Sequence, residues 1–411
     1  MKITHEIVIV GGGAAGIATA ASLLARAPGL DIAIIEPATT HYYQPGWTMV
    51  GAGIFQPTDT AHPMASVMPQ RVKWINSAVA AFAPGRNAVF LEDGSEVAYR
   101  HLVVCPGLKL DWQAVEGLSD TLGRNGVTSN YRVDLAPYTW ELVQKMRGGR
   151  ALFTQPAMPI KCAGAPQKAM YLSADHWKRT GVLADIEIAF CSAGAALFGV
   201  PDYVPPLMEY VKAYGIGLDF GDNLIAVDGE RKTATFSRTG ADGGKQTVVK
   251  QFDMIHVVPP QVAPNFVRDS ALAGSAGWVD VDPATLRHAR YENVFALGDV
   301  AGTSNAKTAA ATRKQAPVVA HNVLAALGKA RGSASYDGYG SCPLTVERGK
   351  IVLAEFTYGG KLAPSFPTWL VDGTRPSRLA WFLKKSILPP LYWNGMLKGR
   401  EWLAHPQVTK P

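Results

Sequence analysis

The chain has 411 residues, 47% of them hydrophobic and 18% charged, which is enough material for two or three domains with buried cores. Its 40 Lys and Arg against 33 Asp and Glu leave a net charge of +7, with no basic run of the kind that tracks phosphates. That balance excludes a nucleic-acid partner and suits an anionic membrane surface wherever basic residues cluster beside apolar ones. The first predicted element is the apolar run Ile7-Val-Ile-Val10, which meets three glycines and then a small-residue helix as far as Arg26. A second buried strand, Asp31 to Glu36, follows it. Gly11, Gly13 and Gly16 fit G-x-G-x-x-G, Ala14 and Ala15 open the helix, and Glu36 stands where such units place the carboxylate that meets an adenosine ribose. The glycines let the backbone turn tightly against a pyrophosphate, whose charge sits on the helix N-terminus. Residues 7–25 carry no charge, but the adjacent glycines and the nucleotide pattern argue against a membrane span there. Only Met1 to Glu6 precede the strand, so no secretory signal is expected.

Residues 37–53 form a loop rich in aromatics, Gly and Pro, with Gln44 placed to line a cofactor. Short strands follow at 72–75, 78–82, 88–92 and 99–104, and the Asp93-Gly94 turn suggests a β-meander crossing over the nucleotide sheet. The strand end His101-Leu-Val-Val-Cys-Pro-Gly107 resembles the corresponding strand end of two-dinucleotide flavoproteins. Val79, Cys105 and Gly107 are read as cofactor contacts, Cys105 as a packed residue beside the adenine.

A linker around 110–130 leads to a second α/β region, with strands at 151–154 and 185–191 flanking a helix over 165–180. In an NAD(P)H-using protein the first of these strands would run into its own glycine trio. Here it runs into Gln155-Pro-Ala-Met-Pro-Ile-Lys-Cys-Ala-Gly-Ala-Pro166, so the fold is kept and the nicotinamide site is lost. Cys191 ends the next strand and reads as core. Further strands are expected at 251–260 and 278–281. Tyr291 to Asp299 then reads as a buried strand delivering an acid at its carboxyl end, followed by a helix to about Leu327. Gly298 and Asp299 face the ribityl or pyrophosphate region, and the helix start at Lys307 and Thr308 aims its positive end at a flavin pyrimidine. Two such motifs in this order imply FAD.

The four cysteines, at 105, 162, 191 and 342, contain no C-x-x-C and no metal-ligand spacing, so no metal is expected and one functional pair remains open. The motifs Lys161-Cys-Ala-Gly-Ala-Pro-Gln-Lys-Ala-Met-Tyr171, Tyr336-Asp-Gly-Tyr-Gly-Ser-Cys-Pro-Leu344, Ile351-Val-Leu-Ala-Glu-Phe356 and Leu388-Pro-Pro-Leu-Tyr-Trp-Asn394 resemble the sulfide:quinone oxidoreductases, in particular the two-cysteine type that includes the mitochondrial enzyme. The resemblance covers essentially the whole chain. It implies that Cys162 and Cys342 form a redox disulfide, with or without a bridging sulfur, on one face of FAD. Sulfide would attack Cys342 and release Cys162 as a thiolate, with Lys161 the neighbouring cation. It further implies a quinone as electron acceptor, a small sulfur acceptor such as glutathione, sulfite or coenzyme A, and a homo-oligomeric assembly. Alternatives of similar fold are the flavin subunit of a flavocytochrome c sulfide dehydrogenase and a type II NADH dehydrogenase.

The tail, Arg375 to Arg400, alternates apolar and aromatic clusters with basic residues, and Pro389-Pro390 should break it into two short helices. Neither spans a bilayer, and both can lie in its interface with Trp and Leu down. The expected architecture is α/β, with two Rossmann-like domains and a membrane-docking tail. Its parts are an FAD-binding domain in two pieces (1–110 and 286–330), a second Rossmann-like domain (111–285) and a C-terminal region (331–411), the whole a peripheral, monotopic membrane protein.

Overall fold

The computed structural model describes residues 3–240 and 243–409; Met1 and Lys2, which enter the expectation about a leader, lie outside them. The first sheet grows around the strand Ile3–Val10, which pairs in parallel with Ile32–Ile35 on one side and Glu96–Val104 on the other. Val72–Ile75 extends it beyond Ile32–Ile35. Ile7, Val8 and Ile9 are fully buried, as are Ala33 and Ile34, because both faces of the parallel strands are packed into one core with Leu23, Val319 and Leu286, which leaves no solvent side for alternation.

The meander departs from the sequence expectation. Val79–Ala83, Ala88–Leu91 and Glu96–Val104 are antiparallel neighbours, yet they continue the nucleotide sheet rather than crossing over it. The nine-residue strand Glu96–Val104 makes this arrangement: one edge pairs with Ile3–Val10 along its length, while the other pairs through its first half with the meander and through its second half with Val294–Ala296. The strand expected over 291–299 is confined to Val294–Ala296, which lies beside Leu102–Val104, and a 3-10 turn at Gly298–Val300 follows. Residues 278–281 form only isolated bridges, Val279 to Ala273 and Ala301, and Val281 to His288.

A second parallel sheet runs Val127–Thr128, Met254–His256, Gly149–Gln155, Ile186–Ser192 and Gly217–Phe220. Its crossover helix is Ala165–Thr180, whose Trp177 and Tyr171 are fully buried. Three antiparallel strands, Asp222–Asp228, Thr233–Thr239 and Lys245–Gln251, pack on it.

The hairpin Gly340–Glu347 with Lys350–Phe356 has two buried faces. Cys342, Leu344, Val352 and Ala354 join the core of the second sheet, while Ile351 and Leu353 pack against Val371, Ala380 and Leu383. The period of two in a strand produces this division.

The tail is helical over Arg378–Phe382, passes through one π turn at Leu383–Ile387 and resumes as Leu388–Asn394. The prolines sit in the first turn of the last helix, where a missing N–H costs nothing, so the irregularity falls just before them. Tyr392, Met396 and Leu397 enter the core of the first sheet. Arg26 grips Glu401 with two hydrogen bonds (2.5 and 2.7 Å), to which Ser22 donates a third (2.7 Å). Among the described residues no helix is long and apolar enough to cross a membrane.

Candidate functional site

The carboxyl ends of the first sheet open onto a cavity of about 690 Å³ that runs between the fingerprint, the Cys162 loop, the hairpin and the tail. Gly13, Ala14, Ala15 and Glu36 line it at the fingerprint, with Gln44 from the following loop and Cys105 and Gly107 from the end of Glu96–Val104. Gly298, Asp299, Lys307 and Thr308 line it from the second motif, and Cys162 from the second domain. Gly11 and Gly16 stand behind this wall. A Cβ at Gly16 would strike the Gly11 carbonyl, and Gly11, at φ +107°, would press one on the Cys105 carbonyl. Val79 is elsewhere: it opens the first meander strand, pairs with Leu91 and packs in the core, away from the cavity wall.

Glu36 accepts from the backbone N–H groups of Gly12 (2.7 Å) and Ala38 (2.8 Å), which fixes its carboxylate at the mouth of the glycine loop. Thr308 caps the helix Ala309–Ala326, accepting from Ala311 N–H at 3.2 Å. Lys307 turns back instead, donating to the carbonyls of Asp299 (2.6 Å) and Ala301 (3.0 Å) over the Trp278 ring, and burial lowers its pKa to about 8. Burial likewise raises the Asp299 carboxyl, against the pull of Lys161 and Lys307. Cys105 is deeply buried with its thiol 3.6 Å from the Gly11 carbonyl, and burial pushes its pKa up, as suits packing rather than reactivity.

An FAD fits these residues. Gly13 has nothing within 4 Å of its Cβ position, so open space lies in front of the helix Ala14–Arg26 where a pyrophosphate belongs. Further along, Trp47 Nε1, Thr48 Oγ1 and both amide atoms of Asn130 are buried on the same wall with no protein partner. Buried donors and acceptors left this way call for a polar ligand. Sequence reasoning reached Trp47 and Thr48 only as members of the 37–53 loop and missed Asn130, because nothing in their spacing marks them.

The redox end is assembled from three elements. The loop after Gly149–Gln155 crosses to the first domain, where Cys162 N–H donates to the Lys307 carbonyl at 2.9 Å. The stretch that cradles a pyrophosphate in a nicotinamide site is thereby used to deliver a cysteine. Cys162 itself sits at φ +46°, an uncommon conformation for a side chain-bearing residue. Gly164 clears the way for the hairpin, since a Cβ there would overlap the Cys342 sulfur and Leu344. The two thiols are free, and the nearness of Cys342 is the main influence that holds the Cys162 thiol well below the usual range, with Lys168 adding to the effect, while Cys162 in turn raises Cys342.

The cation beside the sulfur is Lys168, not Lys161. Lys168 Nζ donates to Cys162 Sγ at 3.2 Å, and although burial opposes its charge, the two sulfurs raise its pKa. Lys161 Nζ turns to Gln44 Oε1 at 2.7 Å, over the Trp47 and Tyr131 rings. From the tail comes Lys384, buried and donating to the Pro45 carbonyl at 3.3 Å; burial lowers its pKa to about 7, and repulsion from Lys168 adds to this. Such a site carries a thiolate leaving group with an ammonium to stabilise it. Lys168→Gln should raise the Cys162 pKa by ~1–3 units, the range for losing an opposite charge in contact. The pH midpoint of Cys162 alkylation in the reduced protein reads this, and an unmoved midpoint would refute the assignment.

Cys191 departs from the simple core reading. It is fully buried, but its sulfur lies 3.5 Å from Lys250 Nζ, which also bridges Asp219 (2.6 Å) and Asp222 (3.0 Å). The lysine fills the centre of that acidic group.

Residues 5–138 match the family model of pyridine nucleotide-disulphide oxidoreductases. The chain is 41% identical to a mitochondrial sulfide:quinone oxidoreductase of Dictyostelium discoideum, over 100% of this chain and 90% of the relative. It is 37% identical to the mitochondrial enzyme of that name from Mus musculus, over 97% and 87%. Its fold matches the solved sulfide:quinone oxidoreductase of Aquifex aeolicus with a TM-score of 0.81 at 18% identity, covering 100% of this chain and 98% of that one. With such identity over its whole length, a fitted FAD cavity and a cysteine pair at its end, the chain belongs to the sulfide:quinone oxidoreductase family.

Proposed function

We propose that this protein oxidises hydrogen sulfide at the Cys162–Cys342 pair, passes the electron pair through FAD to a quinone, and hands the sulfur to a small soluble nucleophile. The observation that carries the reading is the meeting of two thiols, 180 residues apart in sequence, with Cys162 on the wall of the flavin cavity, Cys342 directly behind it and Lys168 against Cys162. In the oxidised pair, HS⁻ attacks Cys342 Sγ. The S–S bond breaks, Cys342 carries the persulfide with the sulfide's proton, and Cys162 leaves as a thiolate held by Lys168. A second nucleophile then lifts the outer sulfur from Cys342. The pair re-closes its bond as two electrons leave it. FAD, when bound, takes up that electron pair and yields it to the quinone. Gly11, Gly13, Gly16, Glu36, Asp299 and Thr308 would hold it, with Trp47, Thr48 and Asn130 as further polar partners.

The quinone and the lipid it dissolves in meet the protein at the tail. Trp369 (83% exposed), Phe382, Ile387, Trp402 and Leu403 are exposed apolar side chains, and Lys385 is exposed beside Phe382 and Ile387 in the sequence. They support docking on a membrane surface. The loop bearing Trp369 belongs to this surface although it precedes the tail read from sequence.

Rapid mixing tests the reading. Sulfide should bleach the flavin of the purified holoenzyme within milliseconds to seconds, a short-chain quinone should restore its colour, and NADH should do neither. Bleaching by NADH, or none by sulfide, would overturn it.

A further inference from the structure

Reduction of a quinone to its quinol takes up two electrons and two protons, so a protein that supplies the electrons in an apolar chamber must also supply protons there. Three acids line the cavity among the described residues. Glu36 is bound to the glycine loop and Asp299 lies between Lys161 and Lys307, whereas Glu355 belongs to the hairpin. It sits opposite Ser341, on the face that also carries Pro343 and Leu353 and looks onto tail residues Leu383, Ile387 and Leu391. Cys342 and Ala354 occupy the other face.

Glu355 is 5% exposed, and its carboxylate closes a ring of oxygens. Oε1 accepts from Tyr339 Oη (2.5 Å) and Ser365 Oγ (2.5 Å), Oε2 accepts from Ser365 N–H (3.1 Å), and the two hydroxyls lie 3.0 Å apart. All three residues line the cavity. Two hydroxyl protons serve three oxygen–oxygen contacts, so rotation of either hydroxyl redirects a proton within the ring. On the outer side Lys314 approaches the Tyr339 ring with its Nζ 5.4 Å from the centroid, half-buried and next to Arg313, which gives the ring a polar approach from water. A carboxylate with this many donors in an aliphatic wall has no part in the sulfur chemistry on the opposite face of the hairpin.

We propose that Glu355, Tyr339 and Ser365 form the proton relay of the quinone site. The O–H bond that breaks is that of a protonated Glu355, the bond that forms is an O–H of the quinol, with Ser365 Oγ passing the proton between them, the carboxylate is re-protonated from water past Lys314, and a second pass by the same route supplies the quinol's other proton. The two electrons are those taken from sulfide. This inference rests on the quinone-reductase reading above.

The test uses the FAD-loaded protein in vesicles and separates the two half-reactions by stopped flow. Glu355→Gln should slow recolouring of the sulfide-reduced flavin by a short-chain quinone at least tenfold. Recolouring by ferricyanide, which takes electrons without protons, should stay within twofold. A small carboxylic acid such as acetic acid should partly restore quinone turnover in Glu355→Ala, which a purely structural role would not produce. Ser365→Ala and Tyr339→Phe keep the carboxylate and should each slow the quinone step by a smaller factor, and they carry the test if the Glu355 variants lose flavin. Unchanged quinone kinetics, or equal slowing with quinone and ferricyanide, would overturn the relay while leaving the quinone-reductase reading intact. A wild-type protein that quinone cannot recolour would overturn both.

Discussion

Replacing either Cys162 or Cys342 with serine should slow sulfide-driven flavin reduction by about 10³- to 10⁶-fold, the scale on which removal of a reacting nucleophile is felt. The magnitude follows from their joint role. Without Cys342 there is no sulfur for HS⁻ to attack, and without Cys162 there is no leaving thiolate for Lys168 to stabilise at 3.2 Å. Neither partner substitutes for the other, so the double variant should be no slower than the worse single one. Cys191→Ser is the control: its sulfur sits in the Lys250 network of the second domain, remote from the cavity wall. Stopped-flow bleaching at matched flavin content measures all four proteins. Retention of wild-type bleaching in either single variant would remove the pair from the mechanism.

The second large effect concerns the fingerprint and separates two ways a glycine is needed. Gly16→Val puts atoms into the Gly11 carbonyl and Ile9, an overpacking that costs ~1–3 kcal/mol in the folded protein itself. Its apoprotein should therefore melt at a lower temperature and should purify with little flavin. Gly13→Ala meets nothing within 4 Å, so its apoprotein should melt with the wild type. The added methyl collides only with a pyrophosphate drawn close to the backbone, and FAD affinity should fall at least tenfold, equivalent to ~1.4 kcal/mol. Flavin-to-protein absorbance ratios and differential scanning calorimetry on apo and loaded forms check both. Equal melting of the two apoproteins would contradict the packing argument.

These effects divide along the line between what was legible in the sequence and what was not. The fingerprint strand, helix, second strand and Glu36 follow one another within a short stretch, and local physics dictates them: a buried parallel strand, a turn that only glycine tolerates, a helix of small residues. The meander strands were legible for the same reason, but their placement was not, since Glu96–Val104 decides it by pairing along one edge with the meander through its first half and with Val294–Ala296 through its second. The cysteine contact was reached only through a family resemblance, because spacing carries no information about the crossing of a loop from one domain to another. Lys161 drew notice through adjacency to Cys162. The side chain that reaches the sulfur is six residues on, on the first turns of Ala165–Thr180, where the helix folds back over the loop. A lysine buried among Ala165, Ala169, Met170 and Tyr171 was a readable anomaly, for a charge in such company needs a partner. The three-stranded sheet of residues 222–251 carried no functional motif to draw attention to it.

One contact ties the tail of the molecule to its nucleotide end. His41 lies between the two, with Nδ1 donating to the Gly12 carbonyl at 3.2 Å and Nε2 accepting from Tyr392 Oη at 2.6 Å. Burial lowers its pKa to about 4, so the ring stays neutral and keeps this one tautomer through the physiological range. Tyr43 and Trp393 close around the same pair of rings. The tail is thus a clasp on the glycine loop as well as the membrane anchor proposed above. Trimming it to remove the proposed docking surface would unbuckle the cofactor's own seat, and the shortened enzyme would shed its colour.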